Sequence, residues 1–302
     1  MKNSSIGVIG AGKWGQALHF ALNKSQKTYI YSRTYRQIDN FVSLEEILNC
    51  QYLIITIPVQ QIQSWLSNNF VFKNQKVLVA SKGIEVKNKK FLDEIYDEFI
   101  PKSNIGFISG PSFASEVMKS LPTAIVINSI NEDIYKEFNK FFPSFIKIYY
   151  SSDIVGAQIT GAYKNVIAIA AGICEGLNLG NNAKASLISR GLVEMYRFGK
   201  FFKAKEESFL GLSGSGDLFL TANSKLSRNF TVGLNLAKNR RLEDILNDLG
   251  QTAEGVKTSQ AIYELAKKHN IYTPIANEVK LILDGKIPQN SLKDLLNSAS
   301  KV

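Results

Sequence analysis

Short apolar segments alternate with amphipathic segments along the first half of the chain. Seven short runs are of the β type, and several of them are rich in Ile, Val and Tyr with apolar residues on both faces, which is typical of strands in a covered, mostly parallel sheet. We predict these strands at 5–9, 28–32, 52–57, 76–80, 104–109, 123–128 and 146–150. Short helical patterns separate them, so the first half is predicted to consist of βαβ units.

The pattern changes near residue 150, after which apolar residues recur at helical spacing. Asp153 is predicted to cap a helix that runs to about Gly176. Further helices are predicted at 183–203, 217–221, 231–238, 242–249, 256–269, 276–283 and 291–298. The sequence therefore predicts an α/β N-terminal domain over 1–150 and an all-α C-terminal domain over 151–302.

The composition is that of a folded globular chain, with 45% hydrophobic and 21% charged residues among 302. The net charge is +10, but the basic residues are spread along the chain and form no nucleic-acid-binding motif. We therefore expect no nucleic-acid partner. Two cysteines and two histidines are too few for a disulfide scaffold or a zinc site, so no metal is expected either.

The start of the chain shows no targeting segment. The residues after Met1 lead directly into a glycine-rich turn, without the apolar region of a signal peptide. The longest apolar run, 166–171, is much too short to cross a bilayer. We therefore expect a cytoplasmic protein with no membrane insertion.

Gly10, Gly12 and Gly15 form the pattern G-x-G-x-x-G between the first predicted strand and a helical pattern at 16–23. This context is the one that a dinucleotide-binding fingerprint requires. The first glycine permits a tight turn, the second lets the backbone approach a pyrophosphate, and the third lets helix and strand pack closely. A purely structural turn is the alternative. The pattern predicts a Rossmann-type dinucleotide-binding domain over residues 1–150.

The end of the second predicted strand bears on the choice of cofactor. An acidic residue that binds the ribose of NAD is expected about twenty residues after the glycines. Tyr31, Ser32 and Arg33 stand there instead, and Arg36 follows. A guanidinium suits a 2′-phosphate, so we predict that NADP is preferred over NAD. A solvated arginine is the alternative.

The long helix predicted after Asp153 carries one lysine in a stripe of small residues. Lys164 shares a helix face with four others, namely Ala157, Gly161, Ala168 and Gly172. Such a face allows close approach of another element, so Lys164 is expected to be partly desolvated, and burial lowers a lysine pKa and suits it to proton transfer. Periodicity leaves open the alternative that Lys164 extends to solvent.

Four further segments carry candidate site residues. The segments 81–83 and 110–114 follow predicted strands, at the carboxyl ends where open α/β sheets bind ligands. The glycine-rich segment 211–217 is predicted to be a turn that ends in Asp217 at the start of a helix, and a simple helix N-cap is the alternative interpretation of Asp217. The segment 227–229 offers a hydroxyl, a guanidinium and an amide, which suit a phosphate, although an ordinary loop would also contain them.

Taken together, these segments resemble the bacterial NAD(P)-dependent glycerol-3-phosphate dehydrogenase family. The resemblance covers nearly the whole chain and keeps the order of the motifs. The matching segments are 10–15, 81–83, 110–114, 161–172, 211–218 with Thr221, 227–229 and 252–255. The resemblance implies that the protein reduces dihydroxyacetone phosphate to sn-glycerol 3-phosphate for phospholipid synthesis. It also makes a homodimer plausible.

The resemblance also implies roles for particular residues. Lys164 would be the general acid/base, Lys82 would position the substrate, and Asp217 with Thr221 would orient Lys164. The implied substrate-binding residues are Lys82, Gly110, Ser112, Lys164, Asp217, Ser227, Arg228 and Asn229. The implied cofactor-binding residues are Gly10, Gly12, Lys13, Trp14, Gly15, Arg33, Lys82, Ala114, Arg228, Thr252 and Glu254.

Two other functions share part of this pattern. A two-domain NADP-dependent dehydrogenase for hydroxy acids or ketopantoate would have the same glycine turn and architecture, but would not need a phosphate site at 227–229. A non-catalytic NADP-binding redox sensor would need the turn without Lys164 or Asp217.

Overall fold

The computed structural model describes residues 5–250 and 253–297. The chain forms two compact units. The first contains the residues up to Lys82 together with Leu92–Ala157. The second contains Gly83–Phe91 together with the residues from Gln158 onward.

The first unit is built on a seven-stranded sheet in the order β2-β1-β3-β4-β5-β6-β7. All neighbouring strands are parallel except β5 and β6, which are antiparallel. The predicted strands are confirmed to within two residues at each end. Their bounds are β1 Ile6–Ile9, β2 Thr28–Tyr31, β3 Tyr52–Ile55, β4 Lys76–Val79, β5 Ile105–Ser109, β6 Thr123–Asn128 and β7 Ile146–Ser151.

Helices cover both faces of this sheet. They are α1 Lys13–Asn23, α2 Leu44–Leu48, α3 Val59–Asn69, α4 Leu92–Tyr96, α5 Ala114–Val117 and α6 Glu132–Asn139. Successive residues of β1 enter different cores: Val8 packs in the core that includes α1 and α6, and Ile9 packs in the core that includes α3 and α4. Burial on both faces is why the strands are apolar at successive positions.

The second unit is helical. Its helices are α7 Ile154–Gly176, which begins in the first unit, α8 Gly180–Phe201, α9 Glu206–Leu210, α10 Asp217–Ala222, α11 Arg228–Leu236, α12 Leu242–Leu249, α13 Glu254–Lys268, α14 Pro274–Leu283 and α15 Pro288–Asn297. Asp153 caps α7 as predicted, because its Oδ1 accepts a hydrogen bond from the backbone N–H of Gly156 at 3.0 Å. The sequence pattern missed α9, which is only five residues long.

Glycines bring α7 and α11 unusually close together. A Cβ added at Gly172 of α7 would lie 2.1 Å from the carbonyl oxygen of Phe230 on α11. A Cβ added at Gly233 of α11 would lie 1.9 Å from the carbonyl oxygen of Ile169 on α7. Neither position can hold a side chain, so the small-residue stripe of α7 serves helix packing at this end.

The helix α7 is also the one described helix long and apolar enough to cross a membrane. In its most apolar window, 89% of the residues are buried inside the protein. The same composition is typical of a core helix, and burial is the simpler explanation of its hydropathy.

Candidate active site

The glycine-rich turn joins β1 to α1 in the first unit. Gly10 has a φ of +108°, a conformation that L side chains rarely adopt. A Cβ at Gly15 would lie 1.9 Å from the carbonyl oxygen of Gly10, so only glycine lets the helix begin this close to the strand. The hydroxyl of Thr56, just beyond β3, donates to the same carbonyl oxygen at 2.9 Å. These contacts hold the turn in one shape.

Gly12 stands where α1 begins, and its surroundings fit a pyrophosphate. A Cβ built at Gly12 would have no atom within 4 Å among the described residues. Within the same part of the chain, no side chain caps α1 and no acidic residue lies in its first turn. The positive end of a helix dipole therefore lies beside open space, as anion binding requires. Lys13 is exposed there, and Trp14 packs against the core.

The end of β2 presents cationic side chains to solvent. Arg33 and Arg36 are both exposed and lie two and five residues beyond the strand. The hydroxyl of Ser32 donates to the carbonyl oxygen of Thr34 at 2.7 Å, which shapes this loop. The arrangement can bind a phosphate on the ribose, because an exposed guanidinium offers a planar set of donors.

Three of the predicted substrate-binding residues meet where β4 and β5 end. The ammonium of Lys82 donates to the carbonyl oxygen of Gly110 at 3.3 Å, and the hydroxyl of Ser112 donates to the same oxygen at 3.1 Å. Gly110 has a φ of +100°, a backbone conformation that favours glycine. Ala114 begins α5 four residues later. The loops after two parallel strands thus form one cluster, as the strand-end argument predicts.

Lys164 forms a buried ion pair in the second unit. It is only 7% exposed, so the alternative in which it extends to solvent is wrong. Its Nζ lies 2.5 Å from Oδ1 of Asp217 and 3.3 Å from Oγ1 of Thr221. Asp217 is 2% exposed, and Thr221 also donates to its carboxylate, at 3.4 Å. A lysine held by a carboxylate and a hydroxyl at a defined position can exchange a proton with a ligand.

The local fold explains how Asp217 reaches the lysine. The glycine-rich segment Leu212–Gly216 is not a turn but a π-helical segment that continues directly into α10. Asp217 therefore has helical backbone angles and is the first residue of α10, whose N-cap position is taken by Gly216, so the interpretation as a simple N-cap is wrong. π-helical segments are uncommon and often occur at functional sites.

The segment 227–229 is well ordered by hydrogen bonds at the start of α11. The Oγ of Ser227 accepts from the backbone N–H of Phe230 at 3.3 Å and caps the helix. The Oδ1 of Asn229 accepts from the backbone N–H of Gly255 at 3.0 Å, which ties α11 to the start of α13. Arg228 is exposed. Glu254 begins α13, and Thr252 lies outside the described residues.

Two models of known protein families match most of this chain. The family model described as NAD-dependent glycerol-3-phosphate dehydrogenase N-terminus matches residues 36–135. The family model of the C-terminus matches residues 153–294. A relative from Sulfurimonas denitrificans, named glycerol-3-phosphate dehydrogenase (NAD(P)+), is 62% identical over 295 residues. The match covers 98% of this chain and 100% of the relative. The chain belongs to the NAD-dependent glycerol-3-phosphate dehydrogenase family.

Other members of the glycerol-3-phosphate dehydrogenase family agree. A relative of the same name from Campylobacter jejuni is 58% identical over 291 residues, with 96% of this chain and 98% of the relative covered. The crystal structure of glycerol-3-phosphate dehydrogenase from Coxiella burnetii superimposes with a TM-score of 0.89 at 30% identity, and the match covers 98% of this chain and 99% of that one. The chain is thus an oxidoreductase that uses NAD or NADP, and its Rossmann-type fold class is confirmed.

Three residues at or near these clusters were not predicted from the sequence. Thr56 holds the glycine turn, and its position directly after a strand is a feature from which a site residue could be predicted. Asn165, beside the buried lysine, donates to the carbonyl oxygen of Gly161 at 3.2 Å. Glu194 on α8 is 2% exposed and binds the residue that precedes Lys164. Within residues 5–250 and 253–297, no group of His, Cys, Asp and Glu is arranged to hold a metal ion.

Proposed function

We propose that the chain catalyses the NAD(P)-dependent interconversion of sn-glycerol 3-phosphate and dihydroxyacetone phosphate. In the cell the reaction would run toward glycerol 3-phosphate and supply phospholipid synthesis. Relatives that are 62% and 58% identical over nearly the whole chain carry the name of this activity. The buried pair of Lys164 and Asp217 is the observation that best supports a catalytic role, because burying two charges is costly and the resulting pair adds little to the stability of the fold.

Each proposed role follows from the local geometry. Nicotinamide supplies a hydride when the cofactor is bound, and hydride addition to a carbonyl carbon leaves negative charge on the oxygen. Lys164 would donate a proton to that oxygen, while Asp217 and Thr221 hold its ammonium in place. Lys82, with Gly110 and Ser112, would position the substrate.

The phosphate of the substrate is assigned to the segment 227–229. Arg228 is exposed and can form a bidentate pair with a phosphate. The capping bond of Ser227 and the bond from Gly255 to Asn229 fix the backbone on either side of that guanidinium. Dihydroxyacetone, which lacks the phosphate, should therefore be a poor substrate.

The cofactor is assigned to the glycine turn of the first unit, so residues 1–150 are proposed as the dinucleotide-binding domain. We assign its pyrophosphate to the N-terminus of α1 and its 2′-phosphate to Arg33, with NADP preferred over NAD. Lys13, Trp14, Ala114, Arg228, Thr252 and Glu254 complete the proposed cofactor site. Residues 151–302 are then proposed as the catalytic domain. A cytoplasmic location and a homodimer complete the proposal.

The direct test follows oxidation of NADPH and of NADH with dihydroxyacetone phosphate. Rapid oxidation of NADPH supports the reaction, and a higher kcat/KM with NADPH than with NADH supports the assignment of Arg33. Dihydroxyacetone serves as the phosphate-free control. Equal rates with dihydroxyacetone and its phosphate would contradict the phosphate site and favour a hydroxy-acid or ketopantoate-type dehydrogenase. No oxidation at all would contradict the proposed reaction.

A further inference from the structure

The residue before Lys164 takes part in a second buried polar network. Tyr163 is fully buried, and its hydroxyl donates to Oε1 of Glu194 at 2.8 Å. Its ring packs against that of Phe198 on α8. Consecutive helical residues point about 100° apart, so Tyr163 faces α8 while Lys164 faces Asp217. The lysine and its neighbour thus tie the same turn of α7 to two different helices.

Glu194 also binds a third helix. Its Oε2 accepts from the backbone N–H of Ile275 at 2.8 Å, and its Oε1 accepts from the backbone N–H of Ala276 at 2.9 Å. Both N–H groups belong to the first turn of α14, where unpaired donors and the helix dipole favour a carboxylate. One side chain therefore joins α8, the Lys164 turn of α7 and the N-terminus of α14.

The residues just before Tyr163 contribute little side-chain bulk to this turn of α7. The two residues before Tyr163 are Gly161 and Ala162, whose side chains are absent or a single methyl. The close backbone contacts of α7 with α11 lie farther along the helix, at Ile169 and Gly172. The hydroxyl of Tyr163 thus gives the turn that carries Lys164 a directional contact with α8, in addition to the ion pair of Lys164 with Asp217.

We propose that Glu194 is a positioning residue for Lys164, because through Tyr163 it fixes the lysine-bearing turn of α7 against α8 and α14. The inference rests on the proposed function, in which Lys164 transfers the proton. A reacting group displaced by about 1 Å loses up to about 10²-fold in rate. Loss of the hydrogen bond between Tyr163 and Glu194 should therefore lower kcat and leave substrate binding unchanged.

The charge of Glu194 is sensitive to pH near neutrality. Burial raises its pKa to about 7. The hydrogen bonds from the backbone of Ala276 and Ile275 and from the hydroxyl of Tyr163 oppose this rise, as does the nearby charge of Arg197. Arg190 and Tyr272 also line the recess beside it. A protonated carboxyl keeps fewer acceptor sites for its three donors, so protonation weakens the tie to Tyr163.

The experiment compares Tyr163→Phe and Glu194→Gln with the wild-type enzyme. Tyr163→Phe keeps the buried ring and removes only the hydroxyl, so it tests the hydrogen bond to Glu194 even if Glu194→Gln fails to fold. Glu207→Gln, a change at an exposed carboxylate on α9, is the matched control. The measurements are kcat and the KM for dihydroxyacetone phosphate between pH 5.5 and 8.5, with melting temperature alongside.

We expect Tyr163→Phe to lower kcat about tenfold with an unchanged KM. In the wild type and in Glu207→Gln, kcat should decrease as the pH falls through about 7. In Tyr163→Phe and in a folded Glu194→Gln, this decrease should be absent. A lower melting temperature with unchanged kcat in Tyr163→Phe would overturn the inference. The same decrease of kcat below about pH 7 in Tyr163→Phe as in the wild type would also overturn it. Failure of the wild type to reduce dihydroxyacetone phosphate would instead count against the proposed function.

Discussion

Lys164 and Asp217 form an ion pair at 2.5 Å between residues that are 53 positions apart, and both side chains are almost completely buried. Removing two charges from water has a large cost, which only close geometry and further hydrogen bonds can offset. Thr221 contributes such a bond to each partner. A pair of this kind is more easily explained by chemistry at the lysine than by stability alone.

Replacing Lys164 by alanine should abolish most of the activity. General acid catalysis accounts for about 10²–10⁴-fold in rate, so kcat for dihydroxyacetone phosphate should fall by that factor. NADPH affinity, measured by fluorescence titration, should change little. Lys184→Ala is the control, because it removes a lysine whose partner Glu175 is an exposed carboxylate. A loss of less than about tenfold in Lys164→Ala would contradict its assignment as the acid/base.

Replacing Arg33 by alanine should act on NADPH selectively. Hydrogen bonds to charged groups contribute about 1.5–3 kcal/mol, so kcat/KM for NADPH should fall about 10–100-fold while that for NADH stays nearly constant. Lys27→Ala removes the same charge before β2 and controls for the overall field of the domain. Equal losses of kcat/KM with the two cofactors would show that Arg33 does not bind the 2′-phosphate.

The glycine turn offers a matched pair of substitutions. Gly15→Ala places a methyl 1.9 Å from the carbonyl oxygen of Gly10, so the free energy of unfolding should fall by about 1–3 kcal/mol or more. Gly12→Ala meets no described atom within 4 Å and should leave the melting temperature nearly unchanged. The same methyl would occupy the space assigned to the pyrophosphate, so the Kd for NADPH should rise. Unaltered NADPH binding in Gly12→Ala would contradict that assignment.

Glu194 should make stability fall as the pH rises from about 4.5 to about 7. Its pKa is raised from 4.5 to about 7 by burial, so between these values the folded state holds a proton that the unfolded state has lost. Its contribution is therefore most favourable below about pH 4.5. It declines by about 3 kcal/mol across this window, at about 1.4 kcal/mol per pH unit.

Denaturant unfolding of wild type and Glu194→Gln at several pH values tests this dependence. The wild type should lose stability relative to the variant as the pH rises to about 7, and the difference should then become constant. A difference that did not depend on pH would show that Glu194 has a normal pKa in the folded state.

The sequence by itself determined the seven strands, most of the long helices and the glycine turn. These features depend on local causes: apolar periodicity, the capping group of Asp153, and glycines where a side chain cannot fit. The segment Leu212–Gly216 shows the limit of such reasoning, because its glycines indicate a turn whereas packing makes it helical. The five-residue helix α9 is too short for any periodicity to reveal.

Only the tertiary structure decided which polar side chains are buried together. Periodicity placed Lys164 on a stripe of small residues but left its exposure open, since that depends on α10 bringing Asp217 to it from 53 residues away. Glu194 looks like an ordinary surface acid on α8 until Tyr163 and the first turn of α14 surround it. The antiparallel pairing of β5 and β6 is likewise a long-range choice. Such contacts join distant segments, and no local pattern in the chain encodes them.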